Sequence, residues 1–141
     1  MKIQHLGLGL SLLLLTSAAA LAQDTQATAG AKVYIISPQS GAHVRSPFLV
    51  QFGLSGMGVA PAGVEAENTG HHHLLIDTAA PGKGEQIPTD DTHRHFGKGQ
   101  TEAPITLPPG QHTLQLVVGD KSHFPLVPSV VSEKIAVIVD K

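Results

Sequence analysis

The chain has 141 residues, with nine Lys and Arg against eleven Asp and Glu, nine histidines and no cysteine. A net charge of −2 supplies no basic stripe to neutralise phosphates, which argues against a nucleic-acid partner. Without thiols there is no disulfide framework, zinc finger, iron–sulfur cluster or blue-copper centre.

At the start of the chain, Lys2 precedes an apolar run from Leu6 to Leu15, and small residues end in Ala20-Leu21-Ala22. That is the plan of a secretory signal peptide over residues 1–22, cleaved after Ala22, and it implies a periplasmic or secreted protein. No second apolar stretch is long enough to span a membrane once the signal is removed. Gln23 to Ala31 is small and polar and reads as a flexible leader. Residues 32–141 suit one domain with one core.

Short apolar segments separated by Gly, Pro and Asn/Asp clusters predict an all-β domain. In chain order the strands are Lys32 to Ser37, Phe48 to Leu54, His72 to Asp77, Ile105 to Leu107, His112 to Val118 and Ile135 to Val139, with a further extended segment around Thr92 to Phe96. In the fifth of these, Leu114, Leu116 and Val118 share one face, and Thr113, Gln115 and Val117 the other. No stretch carries a helical period, and ten prolines with fifteen glycines would break most candidates. The expected architecture is an immunoglobulin-like β-sandwich of about seven strands.

Chemistry concentrates in two histidine triplets, His71-His72-His73 and His93-Arg94-His95. Histidines two apart on a strand project from one face, roughly 6–7 Å apart at the backbone, and neutral imidazole is the commonest metal ligand near pH 7. Strands alternating up and down would bring His71, His73, His93, His95 and His123 to one end of the sandwich. His43 and His112 would then fall about 20 Å away at the other. The five-histidine cluster is the expected metal site, for copper or zinc. Asp77, Glu65 and Glu67 are candidates to orient its imidazoles.

Each signal has a plainer alternative. His72 shares strand parity with Leu74 and Ile76 and reads as structural. His112, in line with Leu114, reads as a hydrogen-bonded histidine at the core edge. Met57, between Gly56 and Gly58, is either a soft axial ligand or a loop plug. The long loop from Ser55 to Gly70 leans towards binding. No Gly-x-Ser-x-Gly elbow places a nucleophile, and Gly97-Lys98-Gly99-Gln100-Thr101 opens no phosphate-binding helix.

Long segments of the mature chain resemble a known family. They are Tyr34 to Pro38, Phe52 to Gly63, Asn68 to Asp77, His95 to Glu102 and Leu107 to Leu116. Together they are similar to the bacterial exported domain-of-unknown-function family 4399, a resemblance that implies no activity. The methionine-rich motifs of periplasmic copper carriers are missing. So are the cysteines of copper–zinc superoxide dismutase, to which a His-x-His on a β-sandwich is loosely similar. The expectation is a binding protein for a divalent metal. The alternatives are an immunoglobulin-like module that senses pH or binds a periplasmic protein, and a small superoxide-active metalloenzyme, which would need an open coordination position.

Overall fold

Alternation of apolar and polar residues sets the architecture. The structure, a computed structural model, describes residues 24–141; the signal-peptide segment 1–22 lies outside the described residues. The described residues form nine strands: β1 (Lys32–Ser37), β2 (Ala42–Val44), β3 (Phe48–Ser55), β4 (Gly58–Val59), β5 (Thr69–Ile76), β6 (His93–His95), β7 (Glu102–Ile105), β8 (Gly110–Gly119) and β9 (Ile135–Val139). The expected all-β class is correct. The strand count was too low because β2 and β4, at three and two residues, are too short to show a period.

Two sheets share these strands. One is the three-stranded β1-β3-β7; the other runs β2-β9-β8-β5, with β4 and β6 both on the far edge of β5. Inward residues of both sheets form one core. Val33, Phe48, Val50, Phe52 and Ile105 from the first meet Leu74, Ile76, Leu114, Leu116, Val118, Val137 and Val139 from the second. Burying each large aliphatic side chain contributes about 1.5–3 kcal/mol, which lets a chain without cysteine hold together by packing. The alternation expected within β8 holds, with Val117 facing the other way into a smaller cluster with Leu75 and Ile87.

That second cluster explains β5. The segments after β5 and after β8 fold back over its outer face, tied by the Ile87 N–H to the His123 carbonyl at 2.7 Å. Gly70 to Ile76 is therefore buried on both sides, although only the inner side faces the other sheet.

Two expectations need correction. The strands do not simply alternate in direction, since β2 is parallel to β9 and β4 to β5. Four of the five grouped histidines, His71, His73, His95 and His123, still meet, because β5 is antiparallel to both β6 and β8. Residues 24–31, read as a flexible leader, are tied to the domain. Ala27 N–H donates to the Val127 carbonyl and Val127 N–H to the Thr25 carbonyl, at 2.8 and 2.9 Å. A small polar composition gave no hint of a backbone partner a hundred residues downstream.

Candidate metal centre

Strand parity first sorts the triplet. On β5, His72 points into the main core, its ring 5.3 Å from that of Phe52, whereas His71 and His73 emerge on the outer face with Leu75. Pairing does the rest. His73 is opposite His95 on β6, and His71 is opposite Gly119, where β8 ends and the loop carrying His123 begins.

Four imidazoles meet there. Every pair among His71, His73, His95 and His123 has ring centroids between 4.7 and 5.8 Å apart. Nε2 of His73 lies 2.9 Å from Nε2 of His71, and Nε2 of His123 lies 3.1 Å from Nε2 of His95. One ligand atom from each of His71, His95 and His123 falls within 4.8 Å of the others, so these three could chelate a metal ion. For tetrahedral nitrogens about 2.0–2.1 Å from a metal, neighbouring donors would be about 3.3 Å apart and their ring centroids roughly 5.2 Å apart. The centroid distances surround that value, and the two close nitrogen pairs, at 2.9 and 3.1 Å, fall slightly inside the donor spacing.

The cluster is built around loops and missing side chains. Asp120 shapes the turn that presents His123: its Oδ1 accepts the N–H groups of Ser122 (2.8 Å) and Phe124 (3.0 Å), and its Oδ2 accepts the Thr25 hydroxyl (2.8 Å). His123 is held there at φ 69°, a left-handed conformation costing about 1–2 kcal/mol for a residue with a Cβ. Such strain concentrates at functional sites. Two glycines leave room for rings rather than for special backbone angles. A Cβ on Gly97 would overlap the His95 imidazole, and one on Gly119 would sit 2.9 Å from Nε2 of His73.

Burial favours neutral rings at His71, His73 and His95. Burial, then the neighbouring His95 and His123, push His71 down to about 4 against the pull of the Asp120 carboxylate. Burial and the surrounding imidazoles push His73 down to about 3, and burial followed by His123 lowers His95. Neutral imidazoles have lone pairs to offer, which is the state a metal requires. Nδ1 of His73 is buried without a hydrogen-bond partner, as are both ring nitrogens of His72. Burial lowers His72 too, opposed only by the Gln100 backbone.

The other expected residues separate. His93 lies opposite Leu75, two residues along β5 from His73, and outside the ring cluster; its Nδ1 is 2.8 Å from Asp90 Oδ1. The Asp90 carboxyl is held down at about 2, chiefly by His93 and then by Thr92. His112 is the satisfied core-edge histidine expected, with Nδ1 2.6 Å from Asp77 and Nε2 2.9 Å from the Pro108 carbonyl. His43 pairs with Asp140 at 2.9 Å on the surface. Met57 packs against the main core as a plug.

The expected orienting acids are wrong. Asp77 serves His112, Glu65 pairs with Lys121 at 2.8 Å and Glu67 is exposed. Sequence reasoning missed Asp120, although an Asp opening a Gly-Asp-Lys-Ser turn is a signal for an Asx-turn. It also missed Gly97 and Gly119, whose neighbours only the fold reveals.

Residues 50–140 match the family described as "Domain of unknown function (DUF4399)", and the chain belongs to that family. No curated protein matches it. Among solved structures it is similar to the fibronectin(III)-like modules of Clostridium thermocellum CbhA. The identity is 13% and the TM-score 0.40, over 77% of this chain and 95% of that one.

Proposed function

We propose that this member of the DUF4399 family is an exported protein that binds one divalent transition metal, copper or zinc, through His71, His73, His95 and His123. The observation that supports it is the convergence of four imidazoles, carried by three segments distant in sequence, at ring spacings suited to one tetrahedral ion. Packing alone gives no reason to bury His71 and His73, 1% and 0% exposed, against two further histidines. A ligand set without thiolate, thioether or carboxylate suits Zn(II) or Cu(II) better than Cu(I), Mg(II) or Ca(II). The signal-peptide pattern of residues 1–22 supports a periplasmic setting. An immunoglobulin-like arrangement of the two sheets belongs to the same reading, with the cluster at one end of the sandwich.

Isothermal titration of the mature protein with Zn(II) and Cu(II) tests this. About one equivalent is expected, with a rise in thermal midpoint that follows free metal as binding linkage requires. The double variant His71→Ala, His95→Ala should lose both. Unchanged binding in a folded double variant would refute the site. Binding to a periplasmic protein that changes with pH in the absence of metal would favour the interaction-module alternative.

A further inference from the structure

We propose that His93 is a transfer ligand, the imidazole through which the ion reaches the four-histidine cluster from solvent and leaves it again. The inference rests on the metal-binding reading above and adds a route to it. His93 and His95 lie on the same face of β6, two residues apart, and both line a groove of about 550 Å³ with Asp90, Asp91, Arg94 and Phe96. The two stand roughly 6–7 Å apart at the backbone, but Nδ1 of His93 is turned to Asp90 at 2.8 Å, which leaves its ring outside the tight donor set and within a side-chain swing of it.

Its hydrogen bonding sets His93 apart. One Asp90 oxygen accepts from the backbone N–H and the hydroxyl of Thr92 and from the backbone N–H of His93, each at 2.9 Å, and it meets Nδ1 of His93 at 2.8 Å. A carboxylate only accepts, so in the neutral ring the proton sits on Nδ1 and the lone pair on Nε2, which makes no hydrogen bond among the described residues. This carboxylate-to-imidazole arrangement is the one that orients metal-binding histidines. The four clustered imidazoles have no carboxylate partner and face one another. At the groove, therefore, stands one imidazole oriented by a carboxylate, beside His95 of the set that holds the ion.

The exchange is balanced. A hydrated M(II) ion trades one water for Nε2 of His93; nitrogens of the cluster then displace further waters and finally Nε2, which is released. No electron moves, and each neutral imidazole that binds the ion displaces a water and releases no proton.

Stopped-flow mixing of metal-free protein with Zn(II), and of zinc-loaded protein with excess chelator, tests the route. In His93→Gln, association and dissociation should both slow by about tenfold while Kd stays within about threefold. Asp90→Asn, which keeps the side-chain shape, should slow both steps by a smaller factor. Glu65→Gln, on the Lys121 side of the His123 loop, should change neither. Unchanged rates in His93→Gln would overturn the proposal. So would a Kd weakened by about tenfold or more, which would make His93 a resident ligand. Equal slowing by Glu65→Gln would assign the effect to general surface charge and overturn it as well. Wild-type protein that takes up no Zn(II) would remove the underlying metal-binding reading before any variant is compared.

Discussion

Histidines at the two ends of the β5-β8 pair meet opposite fates. At one end His112 lies between the Asp77 carboxylate and the Pro108 carbonyl, with both ring nitrogens satisfied. At the other, His71, His73, His95 and His123 have mainly one another. The acid raises His112 above its ordinary value, first through its hydrogen bond, whereas burial and mutual repulsion lower His71 and His73. The same residue type thus serves as a carboxylate-bound brace at one end and as a lone-pair donor at the other. What decides is whether a carboxylate lies within reach.

The contrast should appear most strongly in acid. His71 and His73 are held at about 4 and 3, below the ordinary value of 6.5. Their contribution is therefore complete above pH 6.5 and is lost as the unfolded chain takes up protons that the folded chain refuses. Urea unfolding of metal-free protein should show stability falling from about pH 6.5 towards pH 4, with a slope of up to about 1.4 kcal/mol per pH unit for each histidine. His112 has the opposite sign. Raised in the fold, it contributes fully below pH 6.5, and that contribution fades as pH rises through its folded value. A metal-free protein whose stability is flat between pH 4 and 6.5 would contradict the buried neutral cluster.

The comparison can next be broken at the cluster alone. Gly97→Ala and Gly119→Ala place a methyl against the His95 and His73 rings. Each is expected to weaken zinc affinity by about tenfold or more, as displacement of groups that support a metal site does. Titration calorimetry reads the loss. Affinity equal to wild type in both variants would show that the rings are free to move aside.

At the far end, His112→Ala removes the partner of Asp77 and should cost about 1–3 kcal/mol in denaturant unfolding near neutral pH. Because about 20 Å of strand separates it from the cluster, zinc affinity should stay within about threefold, well under 1 kcal/mol. A folded His112→Ala protein that no longer binds metal would mean the two ends are coupled. The smallest effect is expected at His43, whose pair with Asp140 is 63% and 43% exposed. His43→Ala should shift stability by less than about 0.5 kcal/mol and leave metal binding unchanged.

Sequence by itself determined the all-β class, the limits of β1 and β9, and the face on which each β8 residue lies, because a period of two is a local property of the backbone. It separated His72 from His71 and His73 by the same rule. It also separated the His112 end from the triplet end, since strand direction needs only a count of reversals and β5, β6 and β8 keep the expected sense.

Tertiary structure alone decided the rest. That His93 is held by Asp90 while His123 completes the ring cluster depends on loop geometry, including a left-handed His123 that no pattern announces. Asp77 reaches His112 because β5 ends opposite the start of β8. Gly97 and Gly119 matter only for the rings that lie against them. Neutral imidazoles at His71 and His73 follow from burial and from one another's company. Both are long-range properties, fixed when segments distant in sequence close over the outer face of β5.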